Sequence, residues 1–297
     1  MAGPVSLNFA SAPGLLGAYL RILLTRKPLL AAESVPRIEA TLSGFRVDRR
    51  HLARYRAICG ERESEALPIA YPHVLATPVH LAMIASDAFP LSLMGVVHIA
   101  NRIVLSRPLR IDDTGEIRAI LDGHRDTPRG QELDLNTEVR VGGEVVWSET
   151  CTLLARRHGR RGPPRTGGTH GPGVAVPQPE SVRTQIFAVD PGTGRRYARV
   201  SGDFNPIHMA DLAARWFGFK HAIAHGMWSL ARCVAALGAE AISPSCALDT
   251  AFKLPIALPA RVILESWRSP EGLRFALRDS ARQRGHLIGL IRPRPLA

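Results

Sequence analysis

Apolar and polar positions alternate along two stretches of the chain. Ile117, Ala119 and Leu121 take every second position, as do Leu133, Leu135, Thr137, Val139 and Val141. A period of two is that of a half-buried strand. Gly142-Gly143 then reads as a hairpin turn into Val145-Val146-Trp147. Further on, Val262 to Trp267 is strand-like, Leu273, Phe275 and Leu277 are interleaved with Arg274 and Arg278, and a last strand is expected near Leu287 to Ile291. With no helix between them, these strands should pair antiparallel. A different period governs Gly226 to Gly238, where Met227, Leu230, Val234 and Leu237 recur at helical spacing. That segment predicts an apolar helix for a sheet to wrap. The stretch Leu15 to Leu24 carries Arg21 and is followed by Arg26 and Lys27. It is too short to span a bilayer and lacks the small-residue cleavage site of a signal peptide, so it predicts a helix packed on the body.

The segment 156–179, RHGRRGPPRTGGTHGPGVAVPQP after its first Arg, has linker composition. It divides the chain into an N-terminal helical extension (1–34), a first half (35–155) and a second half (180–297). The halves echo one another. Tyr55-Arg56-Ala57-Ile58-Cys59-Gly60-Glu61 parallels Tyr197-Ala198-Arg199-Val200-Ser201-Gly202-Asp203, and an apolar helix candidate and a run of strands follow in each. The fold class expected is α+β, two units each with an antiparallel sheet around one helix.

Composition bounds the function. Hydrophobic residues make up 45% and charged residues 22%, an ordinary globular balance. The 38 Lys+Arg against 26 Asp+Glu give a net charge of +12. Such an excess fits a solvated surface or an anionic partner. No aromatic RNA-binding motif, zinc-finger spacing or basic helix points to nucleic acid. The four cysteines form no C-x-x-C pair, which argues for a reducing, cytoplasmic setting and against structural zinc.

The densest chemistry lies in Tyr197 to Leu237. Asn205 suits a helix N-cap and Pro206 the first helical position, which places His208 in the first turn and Asp203 in the loop just before it. So tight a turn can bring the Asp203 carboxylate and the His208 imidazole into one pocket. His221 and His225 stand four apart, as helical metal ligands do, but no acidic third ligand is near them in sequence and no metal is expected.

Taken whole, the segment resembles the signature of the MaoC-like, (R)-specific enoyl-CoA hydratases. The matching residues are Ser201-Gly202-Asp203-Phe204-Asn205-Pro206-Ile207-His208, Gly218-Phe219 and Ile223-Ala224-His225-Gly226-Met227, with a looser continuation through Phe252-Lys253-Leu254-Pro255. The resemblance implies a double hot-dog fold, with a degenerate half preceding an active one. It implies reversible hydration of a trans-2-enoyl thioester to the (R)-3-hydroxyacyl thioester by syn addition. Asp203 and His208 would hold one water between them as the acid/base pair. Gly226 would offer its backbone N–H to the thioester oxygen, with Asn205 and Ser201 supporting the loop. No cofactor is implied beyond coenzyme A or acyl carrier protein as the substrate's thiol carrier, and a homodimer is expected. Lys220, His221 and Lys253 are candidates for a basic rim that meets the carrier.

Two departures qualify the match. Members of the family often place a Ser about two turns into the central helix, where this chain is apolar around Val234. In the first half, Glu61 falls opposite Asp203 and Ala66 opposite His208, with no Asn-Pro before it. One active site per chain is therefore expected, with the first half widening the acyl pocket. The competing readings are a hot-dog thioesterase, which has no need of D-x-N-P-x-H, and a non-catalytic acyl-binding module.

Overall fold

The computed structural model describes residues 4–25, 27–32, 34–92, 96–156 and 181–295. The segment read as a linker thus lies outside the described residues, apart from Arg156.

The first half opens with β1 (Val5–Phe9), α1 (Leu15–Leu24), β2 (Ile38–Phe45), α2 (Arg49–Cys59) and α3 (Tyr71–Ala85). It continues through β3 (Val96–Leu105), β4 (Gly115–Leu121), β5 (Arg125–Thr127), β6 (Gly130–Val141) and β7 (Glu144–Arg156). The second half holds β8 (Arg183–Val189), α4 (Thr193–Ser201), a 3-10 turn (Pro206–His208), α5 (Asp211–Trp216) and α6 (Gly226–Leu237). It ends with β9 (Cys246–Phe252), β10 (Ala260–Ser269), β11 (Gly272–Asp279) and β12 (Gly285–Pro293).

Local sequence explains the boundaries. Asp48 caps α2 by accepting from the N–H groups of Arg50 and His51. Both members of the echo end alike: α2 stops at Gly60 (φ 73°) and α4 at Gly202 (φ 75°), where a left-handed residue is required. Gly142 and Gly143 both have positive φ (60° and 86°), the twisted two-residue turn that joins β6 to β7.

The strands form one sheet rather than the two expected. Among the described residues it has 12 strands in the order β1-β2-β4-β6-β7-β3-β9-β12-β11-β10-β8, with β5 beside β6. The halves fuse where β3 pairs antiparallel with β9, Ala100 opposite Ala251 through Leu105 opposite Cys246. Fusion removes two edges that separate sheets would leave unpaired. The extension is not purely helical either. β1 pairs parallel with β2, Val5 opposite Ile38, and so extends the sheet. Its alternating half-buried pattern is short and was not distinguished in the sequence from the apolar run that follows.

The sheet curls around α3 and α6, and one continuous set of buried side chains runs through both halves. The halves are also tied by polar contacts. Trp228 of α6 donates to the Ile58 carbonyl (3.0 Å), and His51 of α2 bonds the Val200 carbonyl of α4 (2.8 Å). Tyr55 and Tyr197, partners in the echo, meet with ring centroids 6.3 Å apart. α1 packs on α3 and leaves Leu16, Leu20 and Leu24 exposed. No described helix is long and apolar enough to cross a membrane.

Candidate active site

The loop after α4 braces itself. The Ser201 hydroxyl accepts from the Asp203 N–H (3.2 Å), Asp203 Oδ1 from the Asn205 N–H (3.1 Å), and Asn205 Oδ1 from the Ile207 N–H (3.3 Å). Short polar side chains at two-residue spacing make such turns on their own. Pro206 then starts the 3-10 turn that ends at His208. Gly194 of α4 lets this turn pack close: a Cβ there would lie 2.2 Å from the His208 carbonyl oxygen. Ile223 holds the turn from the other side, donating to the Ile207 carbonyl (3.1 Å).

His208 is buried, and its Nδ1 lies 2.7 Å from the Ile223 carbonyl oxygen. A carbonyl can only accept, so Nδ1 carries the proton and Nε2 is left as a bare base. That Nε2 is 4.0 Å from Asp203 Oδ2. The gap is too long for a direct hydrogen bond and suits one water touching both groups. Asp203 opens to the cavity, with its side chain 45% exposed. Burial would raise its pKa, but His225, His208 and the Asn205 N–H together outweigh burial and hold it below the usual carboxylate range. Burial lowers the pKa of His208, against the pull of Asp203 and of the Ile223 carbonyl. The resting pair is therefore a carboxylate facing a neutral imidazole.

His225 precedes α6 and stacks on His208, with ring centroids 3.6 Å apart. Its Nε2 donates to the Asp203 carbonyl (2.9 Å), and burial first, then His208, depresses its pKa to about 3. His225 is thus a neutral tether between the central helix and the Asp203 loop. Gly226 begins α6, so its N–H has no partner within the helix. A side chain is barely tolerated there, since a Cβ would meet the Phe252 ring at 3.2 Å.

These groups face a cavity of about 280 Å³ lined by Asp203, His208, Gly226 and Ser229, and by His73 and Ile84 of the first half. Aliphatic side chains of both halves complete its wall, Leu81, Val97 and Leu153 from the first and Ile223, Met227 and Ile256 from the second. A carboxylate and a neutral imidazole 4.0 Å apart, beside an unpaired helix-start N–H and a largely apolar cavity, can move protons on a carbonyl-activated chain.

Residues 174–281 match the family described as MaoC like domain. The chain is 31% identical over 261 residues to 3-hydroxyacyl-thioester dehydratase X of Mycobacterium tuberculosis, covering 88% of this chain and 91% of that protein. The chain belongs to the MaoC-like dehydratase family. The crystal structure of that relative, HtdX, superposes with a TM-score of 0.73 at 30% identity, covering 86% of this chain and 100% of the other. A MaoC-like dehydratase from Phytophthora capsici shares the fold at 18% identity, with a TM-score of 0.68 over 88% of this chain and 96% of its own. So does a Mycobacterium tuberculosis protein with a double hot-dog fold, at 15% identity, with a TM-score of 0.52 over 84% and 94%. The α+β double hot-dog architecture is accordingly that of this MaoC-like chain.

Within the MaoC-like site, the remaining sequence candidates separate. Lys253 lines the cavity at its exposed end, whereas Lys220 and His221 are exposed and outside its lining. His221 instead faces Asp211, with Nδ1 3.2 Å from the carboxylate. His221 and His225 do not act together. The acidic neighbour that the sequence failed to offer His225 is Asp203, whose Oδ2 lies 3.7 Å away. Asp203, His208 and His225 are close enough to share a cation. Val234 is buried in the core, and the hydroxyl that α6 brings to the cavity belongs to Ser229, bonded to the His225 carbonyl (3.0 Å). Tyr19 carried no sequence signal at all. Its hydroxyl donates to the Gly202 carbonyl (2.9 Å) and accepts from the Phe204 N–H (2.8 Å), bracketing Asp203 from the extension.

Proposed function

We infer that the protein hydrates trans-2-enoyl thioesters to (R)-3-hydroxyacyl thioesters, and dehydrates them in reverse, at the Asp203–His208 pair. The observation that carries this is the pairing of two proton acceptors, Asp203 Oδ2 and His208 Nε2, 4.0 Å apart beside the start of α6. A water between them points both hydrogens at protein acceptors and its lone pair at the substrate's β-carbon. As the C–O bond forms, the pair takes one proton from the water. The electrons of the double bond move toward the thioester oxygen, where the Gly226 N–H and the positive end of α6 stabilise the charge. The pair then returns a proton to the α-carbon from the same face, which gives syn addition.

We extend this reading to the setting of the enzyme. No dissociable cofactor enters the steps above, and the thiol carrier is coenzyme A or acyl carrier protein, with Lys253 at the mouth favouring either anionic group. The four cysteines are buried and unpaired, which suits the reducing cytoplasm. β8, at the edge of the sheet with Ile186 54% exposed, offers a surface for a second copy in a homodimer.

The test is the absorbance of the enoyl thioester chromophore. Hydration bleaches it without releasing thiol, a thioesterase releases thiol, and a binding module does neither. Asp203→Asn and His208→Ala should each lower kcat by roughly 10²–10⁴. The double variant should lose far less than the product of the two, since the pair acts on one water. Near-normal turnover by either folded variant would refute the assignment.

A further inference from the structure

The wall of the cavity facing the catalytic pair is not the plain hydrocarbon surface that an alkyl chain requires. His73, at the start of α3, lines it with 18% of its side chain exposed, and its Nδ1 lies 2.8 Å from Oε2 of Glu149. Glu149 is fully enclosed, with a side-chain exposure of 0%, and its other oxygen accepts from Asn101 Nδ2 (2.7 Å). An ion pair in such a place costs several kcal/mol of desolvation per charge and is weak evidence for stability. Despite burial, Glu149 holds His73 above the usual histidine range, so the ring is an imidazolium. With Nδ1–H engaged by Glu149, the Nε2–H donor is left for whatever enters the cavity.

A complementary group stands beside it. His98 of β3 also lines the cavity, its ring stacked with that of His73 at a centroid separation of 6.3 Å and an interplanar angle of 19°. His98 bonds the Ala100 backbone in the sense that favours protonation, so the ring donates there, and its Nε2 is buried without a partner. Burial first, then His73, depresses its pKa to about 4, so it is neutral and Nε2 is a bare acceptor. A donor and an enclosed, unpartnered acceptor thus sit on neighbouring rings that both line the cavity. Phe252 links this wall to the start of α6. A Cβ on Gly226 would meet the Phe252 ring at 3.2 Å, and Phe252 packs on His98 with centroids 4.9 Å apart. One aromatic ring thus lies between Gly226 and His98.

We propose that His73 and His98 form a binding site for a hydroxyl group on the substrate's acyl chain, beyond the carbon that is hydrated. This rests on the hydratase reading of the same cavity. A hydroxyl satisfies both groups, accepting from His73 Nε2–H and donating to His98 Nε2, whereas an alkyl chain leaves both unpaired. A carboxylate fits less well, because Glu149 already neutralises His73 and Asp203 adds negative charge nearby. The preferred substrates are hydroxyacyl thioesters with a second oxygen further along the chain.

Binding and turnover test this separately. Calorimetry with decanoyl-CoA and its 5-hydroxy and 7-hydroxy derivatives, which cannot be hydrated, should give a Kd at least about ten-fold lower for one hydroxylated chain, the range of one hydrogen bond to a charged group. The matching trans-2-enoyl thioesters should show the same order in kcat/KM. His98→Phe should bring the Kd ratio close to one. So should His73→Leu combined with Glu149→Leu, which removes both charges together and avoids stranding either. Equal affinities in the native protein, tighter binding of an acyl chain ending in carboxylate, or a preference that survives in both folded variants would overturn the proposal. If no enoyl thioester is bleached while the Kd preference holds, the hydratase reading fails and the hydroxyl site stands.

Discussion

Tyr19 shows how a single residue outside the signature can govern it. One hydroxyl donates to Gly202 and accepts from Phe204, holding the two peptide groups that flank Asp203. Asp203 does not need Tyr19 to be charged; it needs Tyr19 to stay where the water is. Tyr19→Phe removes two hydrogen bonds worth about 0.5–1.5 kcal/mol each and leaves the ring in place. The expected outcome is a kcat lowered by roughly 3- to 100-fold with little change in KM. Loss of carrier or acyl binding instead, seen as a KM effect with kcat intact, would show that Tyr19 contacts substrate rather than positioning the loop. Asp203, Asn205 and His208 were legible in the sequence because Asx turns and the Pro206 turn are set by neighbours one to three residues away. Tyr19 was not, because its partners lie more than 180 residues along the chain, at a separation of 183 for Gly202.

At the scale of elements, the matching pair α2 and α4 makes the asymmetry of the halves physical. Both end at a left-handed glycine followed by an acidic residue. After Gly202 the chain makes the turn that carries Asp203 and His208. After Gly60 it is drawn instead onto the buried Arg56, which bonds Glu63 and the carbonyls of Ser64 and Ala66. Glu61 is left outside the lining of the cavity, with burial raising its pKa to about 7 against Arg56 and Arg232. Glu61→Gln should leave turnover nearly unchanged, and a large fall in kcat in a stable protein would give the first half chemistry of its own. α6 makes the opposite point. Its N-terminus is usable only while Gly226 stays small, because the Phe252 ring fills the space a side chain needs. Gly226→Val should cost about 2–4 kcal/mol of transition-state stabilisation in kcat/KM, the range of one lost oxyanion donor. Unchanged kcat/KM in the folded variant would remove the α6 N–H from the mechanism. The sequence located α6 by its period and showed α2 and α4 only as an echoed segment. It could not show that Phe252, on β9, would close over Gly226.

Over the whole molecule, burial of histidines couples stability to pH. His80, His98 and His225 have pKa values depressed from 6.5 to about 3, 4 and 3, in each case chiefly by burial. The unfolded chain takes up these protons near pH 6.5 and the folded protein does not. Their contribution to stability is therefore complete above pH 6.5 and is lost as pH falls from there toward about 3. Asp203 and Glu149, depressed carboxylates, act in the same direction at lower pH, whereas His73, raised by Glu149, opposes it because it holds its proton better when folded. The denaturant midpoint should drop steadily between pH 6.5 and 4, with more than one proton taken up on unfolding. A flat midpoint across that window would mean that the buried histidines are hydrated or already charged.

The sequence by itself determined strands β4, β6, β7, β10, β11 and β12, the central helix α6, the echo between the halves and the Asp203–His208 turn. Each of these is written in periods of two or 3.6, in glycines with positive φ, or in hydrogen bonds between close neighbours. Tertiary structure decided the rest. Fusion of two sheets into one depends on β3 meeting β9, and the polar wall depends on α3, β3 and β7 converging on the cavity that Gly226 also lines. Such contacts join residues that the chain separates by dozens to hundreds of positions. No local pattern encodes them, because their energy exists only once both surfaces are buried against each other.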